Sequence, residues 1–375
     1  MYAPRGLRIS LRLRDMTRSI SSKLPDVGTT IFTVMSQLAA ETGAINLSQG
    51  FPGFEPPEAL VDRVDWHMRN AANQYAPMPG VAPLRQVIAD KTLRFQGRAL
   101  DTEREITVCT GATEVLFSAI TAIVRPGDEV VILDPAYDSY EPAIRLAGGV
   151  TRRVPLQIDT NGHDFHPDWQ RIAETINPKT RLLVLNFPHN PTGAILSMDD
   201  LETLAGIVRD TDCLIVSDEV YEHIVFDGQP HLSLLSHDEL WERTFVISSF
   251  GKTVHATGWK IGYCAAPAAL TEEFRRVHQF TTFAVSTPMQ FGLADFLADN
   301  REWCADLPAF YEAKRDHFCR LLDGSRFSLL PTRSTFFQLL DYADISDEKD
   351  VDLARRWTHD IGVASIPLSV FCETP

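Results

Sequence analysis

The sequence has no excess of basic charge. Its 375 residues include 35 lysines and arginines against 50 aspartates and glutamates, which gives a net charge of −15. A surface of that sign repels phosphate groups, so it argues against a nucleic-acid or anionic-membrane partner. The sequence also lacks any run of 18 apolar residues, the length that a transmembrane helix needs. We therefore expect a globular protein that binds neither nucleic acid nor membrane.

Cysteine is scarce and scattered. The six cysteines show no C-x-x-C pair, and several of them lie in apolar segments. This distribution predicts buried, reduced thiols in a cytoplasmic protein rather than a disulfide framework. Histidines and carboxylates are not spaced like metal ligands either, so we predict no metal site.

The most informative segment spans residues 248–263. Residues 244–248 are apolar and β-branched, which predicts a buried strand, and Lys252 follows on a short glycine-containing turn. Ligands of α/β proteins bind at the carboxyl edge of the sheet. A lysine there, with a pKa lowered by burial, can form a Schiff base with an aldehyde. Most lysines are simply solvated, but the apolar segments at 244–248 and 261–266 favour the functional interpretation.

Asp218 ends another apolar segment, and Tyr221 lies three residues beyond it. One interpretation is an ordinary cap on a following helix. The other is a carboxylate that keeps the ring nitrogen of pyridoxal phosphate (PLP) protonated, with Tyr221 reaching the ring oxygen. Taken alone, the pattern does not distinguish the two.

Three further segments follow predicted strands. The loop 186–193 contains two prolines and a glycine, which makes it rigid enough to hold the Asn190 amide against a ligand, or merely to form a turn in which Asn186 satisfies the backbone. Residues 109–114 join a strand to a predicted helix and suit a phosphate at its N-terminus. Tyr137 suits either stacking on a flat ring or core packing.

Together these motifs resemble fold type I PLP-dependent aminotransferases of class I/II. The resemblance rests on Asn190-Pro-x-Gly193, Asp218-x-x-Tyr221, and Ser249-x-x-Lys252 with Lys260, and it extends from about Ser22 to the end of the chain. Asn46-Leu-Ser-Gln-Gly50-Phe-Pro52 and Asn73-Gln-Tyr75 are most similar to the kynurenine/glutamine transaminase branch, especially its bacterial methionine aminotransferases.

The resemblance implies roles for individual residues. Lys252 would bond to the cofactor and move the substrate proton, and Asp218 would pair with the ring nitrogen. The phosphate would be bound by Gly111, Ala112, Thr113, Ser249 and Lys260, the ring oxygen by Asn190 and Tyr221, and the ring face by Tyr137. Lysine at 260 replaces the arginine of many relatives and keeps the charge without the bidentate geometry.

The same resemblance implies a homodimer with shared active sites. Tyr75 would reach the phosphate in the partner subunit, and Phe283 would close the partner's substrate pocket. Gly50 would contact the substrate carboxylate through its backbone, with Phe51 and Asn190 nearby. An arginine that fixes the carboxylate would follow residues 362–371, and the printed sequence shows none there. We therefore expect a small domain that is incomplete at its end.

The length suggests two domains. We predict a disordered N-terminal extension at 1–20, an arm at 21–55 that joins the small domain, a large PLP-binding domain at 56–299 and a small α+β domain at 300–375. The extension is rich in arginine, which also suits a targeting arm, and Met16 is an alternative start. Strands and helices alternate from about Pro56 to Asp299, which predicts an α/β fold with a mainly parallel sheet and helices on both faces. In the last segment we expect a helix at 307–322 and a strand at 334–340.

The predicted activity is transfer of an amino group from a methionine, glutamine or aromatic amino acid to a 2-oxo acid, by a ping-pong mechanism. Two alternatives stay open. A PLP-dependent β-lyase acting on cysteine conjugates would use the same residues, and a non-catalytic PLP-fold module would keep only the fold.

Overall fold

The computed structural model describes residues 20–70, 72–159 and 164–373. The predicted extension at 1–20, apart from Ile20, lies outside the described residues. Seven strands form the central sheet. They are β1 (Ile106–Cys109), β2 (Glu129–Asp134), β3 (Val150–Pro155), β4 (Thr180–Asn186), β5 (Leu214–Asp218), β6 (Thr244–Ser249) and β7 (Gly262–Ala265).

The sheet is mainly parallel, as predicted. Its spatial order is β1-β7-β6-β5-β4-β2-β3, and only β7 runs antiparallel to its neighbours. All strands except the edge strand β3 are almost continuously buried, because helices cover both faces of the sheet.

The described residues also form thirteen α-helices. They are α1 (Ile31–Thr42), α2 (Glu58–Arg69), α3 (Ala82–Gln96), α4 (Gly111–Ile123), α5 (Tyr140–Ala147), α6 (Trp169–Thr175), α7 (Met198–Val208), α8 (Asp238–Trp241), α9 (Phe250–Thr253), α10 (Ala268–Thr281), α11 (Thr287–Asp299), α12 (Trp303–Leu321) and α13 (Asp350–Asp360). Alternate residues of β2 face opposite sides of the sheet and pack into two different hydrophobic core clusters. Val130 and Ile132 pack with α4 and α5, whereas Val131 and Leu133 pack with α6 and α7.

The N-terminal segment and the C-terminal segment contact each other. Ile45–Asn46 pairs in parallel with Val363–Ala364. α1 and α13 enclose a small separate cluster that includes Met35, Ala39 and Ala354. The helix predicted at 307–322 is α12, which begins four residues earlier. These contacts agree with an arm that joins the small domain, while the domain boundaries themselves stay a prediction.

The prediction of a strand at 334–340 is wrong. Only Leu340–Asp341 is a strand, paired with Ser328–Leu329, and Ser334 makes an isolated bridge to Val225. Thr335 has φ +68°, a left-handed conformation that turns the chain. The turn brings both Phe336 and Phe337 against the aromatic cluster beneath Tyr221, so their hydrophobicity serves packing rather than pleating.

Shorter elements complete the described chain. Gln157–Ile158 pairs with Phe165–His166, and 3₁₀ turns occur at Leu234–Ser236, Thr257–Trp259 and Ser369–Phe371. In the part of the chain that the structure describes, no helix combines the length and apolarity needed to cross a membrane.

Candidate active site

Lys252 lies just beyond the carboxyl end of β6, in the one-turn helix α9. The sequence predicted a simple turn here. Ser249 instead caps the short helix by accepting a hydrogen bond from the Gly251 N–H at 3.2 Å. The Lys252 amine lines a cavity and donates to the Gly50 carbonyl at 2.6 Å. Burial lowers its pKa to about 8, because desolvation outweighs the attraction of Asp218. The amine is therefore half neutral near pH 8, as a nucleophile or base requires.

Asp218 is the last residue of β5 and is buried. The Tyr140 hydroxyl donates to one carboxylate oxygen at 2.8 Å, and the Val220 N–H approaches the other at 3.4 Å. Burial raises the pKa of Asp218 to about 6, although the Tyr140 hydrogen bond opposes that shift. A turn follows Asp218 rather than a helix, so the helix-cap interpretation is wrong. A cation placed against a buried carboxylate with a raised pKa stabilises its ionised form.

The loop after β4 is held by Asn186. Its side-chain oxygen accepts from the Asn190 N–H at 2.9 Å, and its amide donates to the Asp218 carbonyl at 2.9 Å. Asn186 therefore satisfies backbone groups, as its simpler interpretation predicted, and Asn190 lines the cavity. Tyr221 also lines it, with its ring centroid 5.3 Å from Lys252 Nζ.

The N-terminus of α4 forms a second part of the cavity. Thr110, at its cap position, makes no side-chain hydrogen bond to the helix. Gly111 has φ +73°, and a Cβ there would lie 3.3 Å from Lys260 Nζ. Glycine is thus required both by conformation and by the close approach of the lysine. Free N–H groups beside an ammonium suit a bound phosphate.

The remaining predicted phosphate ligands are close by. Ala112, Thr113 and Ser249 all line the cavity. Tyr137 lines it too, and packs edge-on against Tyr140 with centroids 5.6 Å apart. Burial raises the pKa of Tyr137, and a hydrogen bond with Thr113 opposes the change. Its ring is therefore fixed at the cavity wall in neutral form.

The cavity has a volume of about 290 Å³. Gly50 and Phe51, predicted near the substrate, lie on its wall, and Phe51 is half exposed. The sequence analysis assigned no role to the other wall residues, which are Phe32, Gln49, Leu116, Val220, Thr257 and Phe337.

Tyr75 and Phe283 do not line this cavity within one chain. Their rings meet edge-on, with centroids 5.4 Å apart, and their exposed fractions are 84% and 52%. Phe283 also has φ +68°, a conformation that few non-glycine residues adopt. The structure thus brings these two residues to each other and to the surface.

The clearest residue that sequence reasoning missed is Tyr140. It lies 78 residues before Asp218 and belongs to no recognisable motif. Its position one turn after Tyr137 at the start of α5 was the only available signal.

Three residues of metal-ligating type lie together although their spacing gave no sign of it. They are Cys109, Glu114 and His278, and the Glu114 carboxylate already bonds His278 at 3.0 Å and Ser118 at 2.6 Å. Burial raises the pKa of the Cys109 thiol well above its usual value, which keeps it protonated. These contacts account for the cluster as a hydrogen-bonded group, and the absence of a metal stays a prediction.

One cavity thus combines a lysine, a buried carboxylate and a helix N-terminus suited to a bound phosphate. This combination defines a class of enzyme. Residues 42–374 match the aminotransferase class I and II family. The chain belongs to this family, whose members depend on PLP and transfer amino groups between amino acids and 2-oxo acids. It is a transaminase with the fold type I architecture, as the sequence predicted.

Individual members of the family show a more specific similarity to this chain. The chain is 50% identical to the methionine aminotransferase of Escherichia coli over 94% of its own length and 91% of that protein's. It is 30% identical to human kynurenine–oxoglutarate transaminase 3, over 94% and 83% of the two lengths. The crystal structure of YbdL from Escherichia coli, for which a methionine aminotransferase function was identified, superposes with a TM-score of 0.92 over 95% and 92% of the two chains.

Proposed function

We propose that this chain binds PLP through Lys252 and uses methionine, glutamine or aromatic amino acids as amino donors. The observation that supports this most strongly is the placement of a lysine with a lowered pKa and a buried carboxylate on one cavity. The likeness to methionine and kynurenine transaminases supports the choice of donors.

The residues on the cavity wall fit the cofactor at each of its functional groups. Lys252 offers an amine to the aldehyde, and Asp218 offers a buried carboxylate to the ring nitrogen. Gly111 leaves the space beside Lys260 that a phosphate would use. Tyr137 offers an aromatic face to the ring. The donor set therefore matches PLP in charge and shape.

Bound PLP supplies an electron sink that allows the substrate α-carbon to lose its proton. The chain supplies the base. In its neutral form, Lys252 Nζ would accept the substrate α-proton and hold it for return. The ionised Asp218, which accepts a hydrogen bond from the Tyr140 hydroxyl, would keep a ring nitrogen placed against it protonated. The Gly50 carbonyl accepts a hydrogen bond from Lys252 Nζ and so holds the amine at the cavity wall.

The substrate side of the cavity is largely apolar. Phe32, Phe51, Leu116 and Phe337 line it, and they suit the unbranched thioether of methionine or an aromatic ring. All four side chains are apolar, so they favour apolar donors over charged ones.

The proposal includes a cytoplasmic homodimer in which Tyr75 and Phe283 serve the partner's site. Two large aromatic rings in contact on the surface are typical of a covered interface. Phe280, 85% exposed and three residues before Phe283, extends the same apolar surface. All six cysteines are free, and four are buried, which suits a reducing compartment.

The test is an absorbance spectrum of the purified protein before and after methionine is added. We expect a visible band from lysine-bound cofactor that methionine converts to a near-ultraviolet band. Lys252→Ala should lose the visible band of bound cofactor, whereas Lys179→Ala, an exposed lysine, should behave like the wild type. A Lys252→Ala protein with an unchanged visible band would refute the assignment. Pyruvate and a thiol released from a cysteine conjugate without any 2-oxo acid would identify a β-lyase instead.

A further inference from the structure

A buried charged group lies behind the cavity, outside the residues discussed so far. Glu222 accepts hydrogen bonds from Tyr263 at 2.9 Å and from Ser248. Lys91 Nζ lies 2.6 Å from the second Glu222 oxygen and donates to the Tyr263 hydroxyl at 2.7 Å. We call these four residues the Glu222 network. It joins the loop after β5 to α3, β6 and β7.

The network touches the cavity wall from behind at three places. Glu222 directly follows Tyr221, and Ser248 directly precedes Ser249. Tyr263 lies three residues after Lys260 and pairs with Ser248 across β6 and β7. The Glu222 carboxylate therefore lies next to Tyr221 in the chain. It is also bonded to the sequence neighbours of the two proposed phosphate ligands Ser249 and Lys260.

Both charged members are present as ions. The side chains of Lys91 and Glu222 are each only 8% exposed. Burial alone would raise the pKa of Glu222, but the Lys91 ammonium holds it below the usual value. Burial would likewise lower the pKa of Lys91, and Glu222 raises it above the usual value. Removing one partner would leave an uncompensated buried charge.

A buried ion pair is a poor source of net stability, because desolvation offsets much of the attraction. Its value lies in fixing geometry when every donor and acceptor is satisfied. Here one Glu222 oxygen receives two hydroxyl donors, and the other receives the Lys91 ammonium and lies 3.6 Å from the buried His223 Nε2. That arrangement fixes the loop after β5 against α3, β6 and β7 behind the cavity.

We infer that Glu222 is a positioning residue for the cofactor, and that it holds Tyr221, Ser249 and Lys260 in register through Lys91, Ser248 and Tyr263. The inference rests on the proposed function, since it assigns those three residues to PLP. Glu222 itself does not line the cavity.

The test measures the PLP dissociation constant of cofactor-free protein. The variant is Glu222→Gln. Its control is Glu129→Gln, another buried carboxylate in an ion pair, here with Arg152, at the opposite end of a strand from the cavity. Circular dichroism and thermal unfolding without cofactor show whether each variant is folded at the assay temperature.

We expect Glu222→Gln to bind PLP about 10- to 100-fold more weakly, as when the supporting shell of a site is removed. Glu129→Gln should stay within about 2-fold of the wild type. The pH titration of the bound cofactor's absorbance should shift in Glu222→Gln alone, since Tyr221 bonds the ring oxygen. Equal binding by both variants overturns the inference. A wild type that binds no PLP would instead refute the proposed function.

A double variant separates positioning from simple loss of charge. Lys91→Met/Glu222→Gln removes both charges and keeps an acceptor oxygen for Ser248 and Tyr263. We expect it to bind PLP more tightly than either single variant. Strictly additive losses would contradict a network that acts as a unit.

Two milder variants cover the case in which Glu222→Gln does not fold. Ser248→Ala and Tyr263→Phe each delete one hydroxyl bonded to Glu222 and change no charge. Each should weaken PLP binding by roughly 2- to 10-fold, the usual range for one hydrogen bond. Unchanged affinity in both would overturn the inference.

Discussion

The two sides of the cavity are built differently. On the strand side, Asp218 and Tyr221 are buried, and hydrogen bonds from Tyr140 and Asn186 hold the loops in place. On the opposite side, Phe51 is half exposed, and Phe283, which the proposal assigns to the partner's substrate pocket, lies on the surface outside this cavity. The comparison supports the proposal that one chain holds the cofactor while the partner subunit completes the substrate pocket.

The rigidity of the strand side follows from its position in the sheet. β4, β5 and β6 are adjacent and parallel, so their carboxyl ends bring Asn186, Asp218 and Ser249 to one edge. The substrate side has no such scaffold. Gly50 and Phe51 lie on an irregular segment after Ile45–Asn46, where fewer backbone hydrogen bonds restrain the chain.

The largest effect should come from the strand side. Asp218→Asn removes the buried charge that faces the ring nitrogen, and we expect kcat to fall by about 100- to 1,000-fold, as when one preorganised electrostatic group is deleted. Steady-state transamination of methionine measures it. Asp212→Asn, an exposed acid just before the same strand, is the control. A loss below 10-fold would mean that Asp218 does not hold the ring proton.

A smaller effect should follow from Tyr140→Phe. Its hydroxyl stabilises the ionised form of Asp218, so its removal raises the pKa of that carboxyl above the value of about 6. PLP binding needs the ionised Asp218, so binding weakens as the pH falls through the pKa of this carboxyl. Because Tyr140→Phe raises that pKa, binding should be lost at a higher pH in the variant. A charge-assisted hydrogen bond of about 1.5 kcal/mol corresponds to a shift of roughly one pH unit.

The measurement is the PLP dissociation constant of cofactor-free protein between pH 5 and pH 8, a window chosen to bracket that pKa. Tyr342→Phe, whose hydroxyl bonds only the Glu348 carbonyl, should keep the wild-type profile. An acid limb that does not move in Tyr140→Phe would show that Asp218 is ionised independently of Tyr140.

Much of the strand side was predictable because its signals are local. Apolar β-branched segments marked the strands, and the polar residues just after them marked the edge where ligands bind. Lys252, Asp218 and Asn190 were placed on the cavity in this way. Their separation along the sequence is large, but the parallel sheet converts it into proximity.

The missed features depend on contacts that no local pattern encodes. Tyr140 reaches Asp218 from another layer, and Lys91 reaches Glu222 across 131 residues. The prediction of a strand at 334–340 was wrong for the same reason. Its aromatic residues matched a strand pattern, but Thr335 turns the chain to pack Phe336 beneath Tyr221. Tertiary packing determined the structure there, rather than periodicity.

The smallest effect should come from the exposed side. Phe283→Ala removes a ring that closes the proposed pocket of the partner, and we expect KM for methionine to rise roughly 5-fold, about 1 kcal/mol for partial burial of one ring. Leu321→Ala, which truncates an exposed apolar side chain at the end of α12 outside the proposed interface, is the control. Steady-state kinetics of both variants give the comparison.

Mixing subunits then shows which site Phe283 serves. Lys252→Ala has no active site of its own but still presents Phe283 to a partner. When it is added in excess to Phe283→Ala, each hybrid dimer contains one site with an intact Lys252 and an intact Phe283 from the other chain. If the rings cross between subunits, the KM of the mixture returns to the wild-type value after subunit exchange. If Phe283 acts within its own chain, KM stays high at every mixing ratio, and the substrate side of the cavity is completed without a partner.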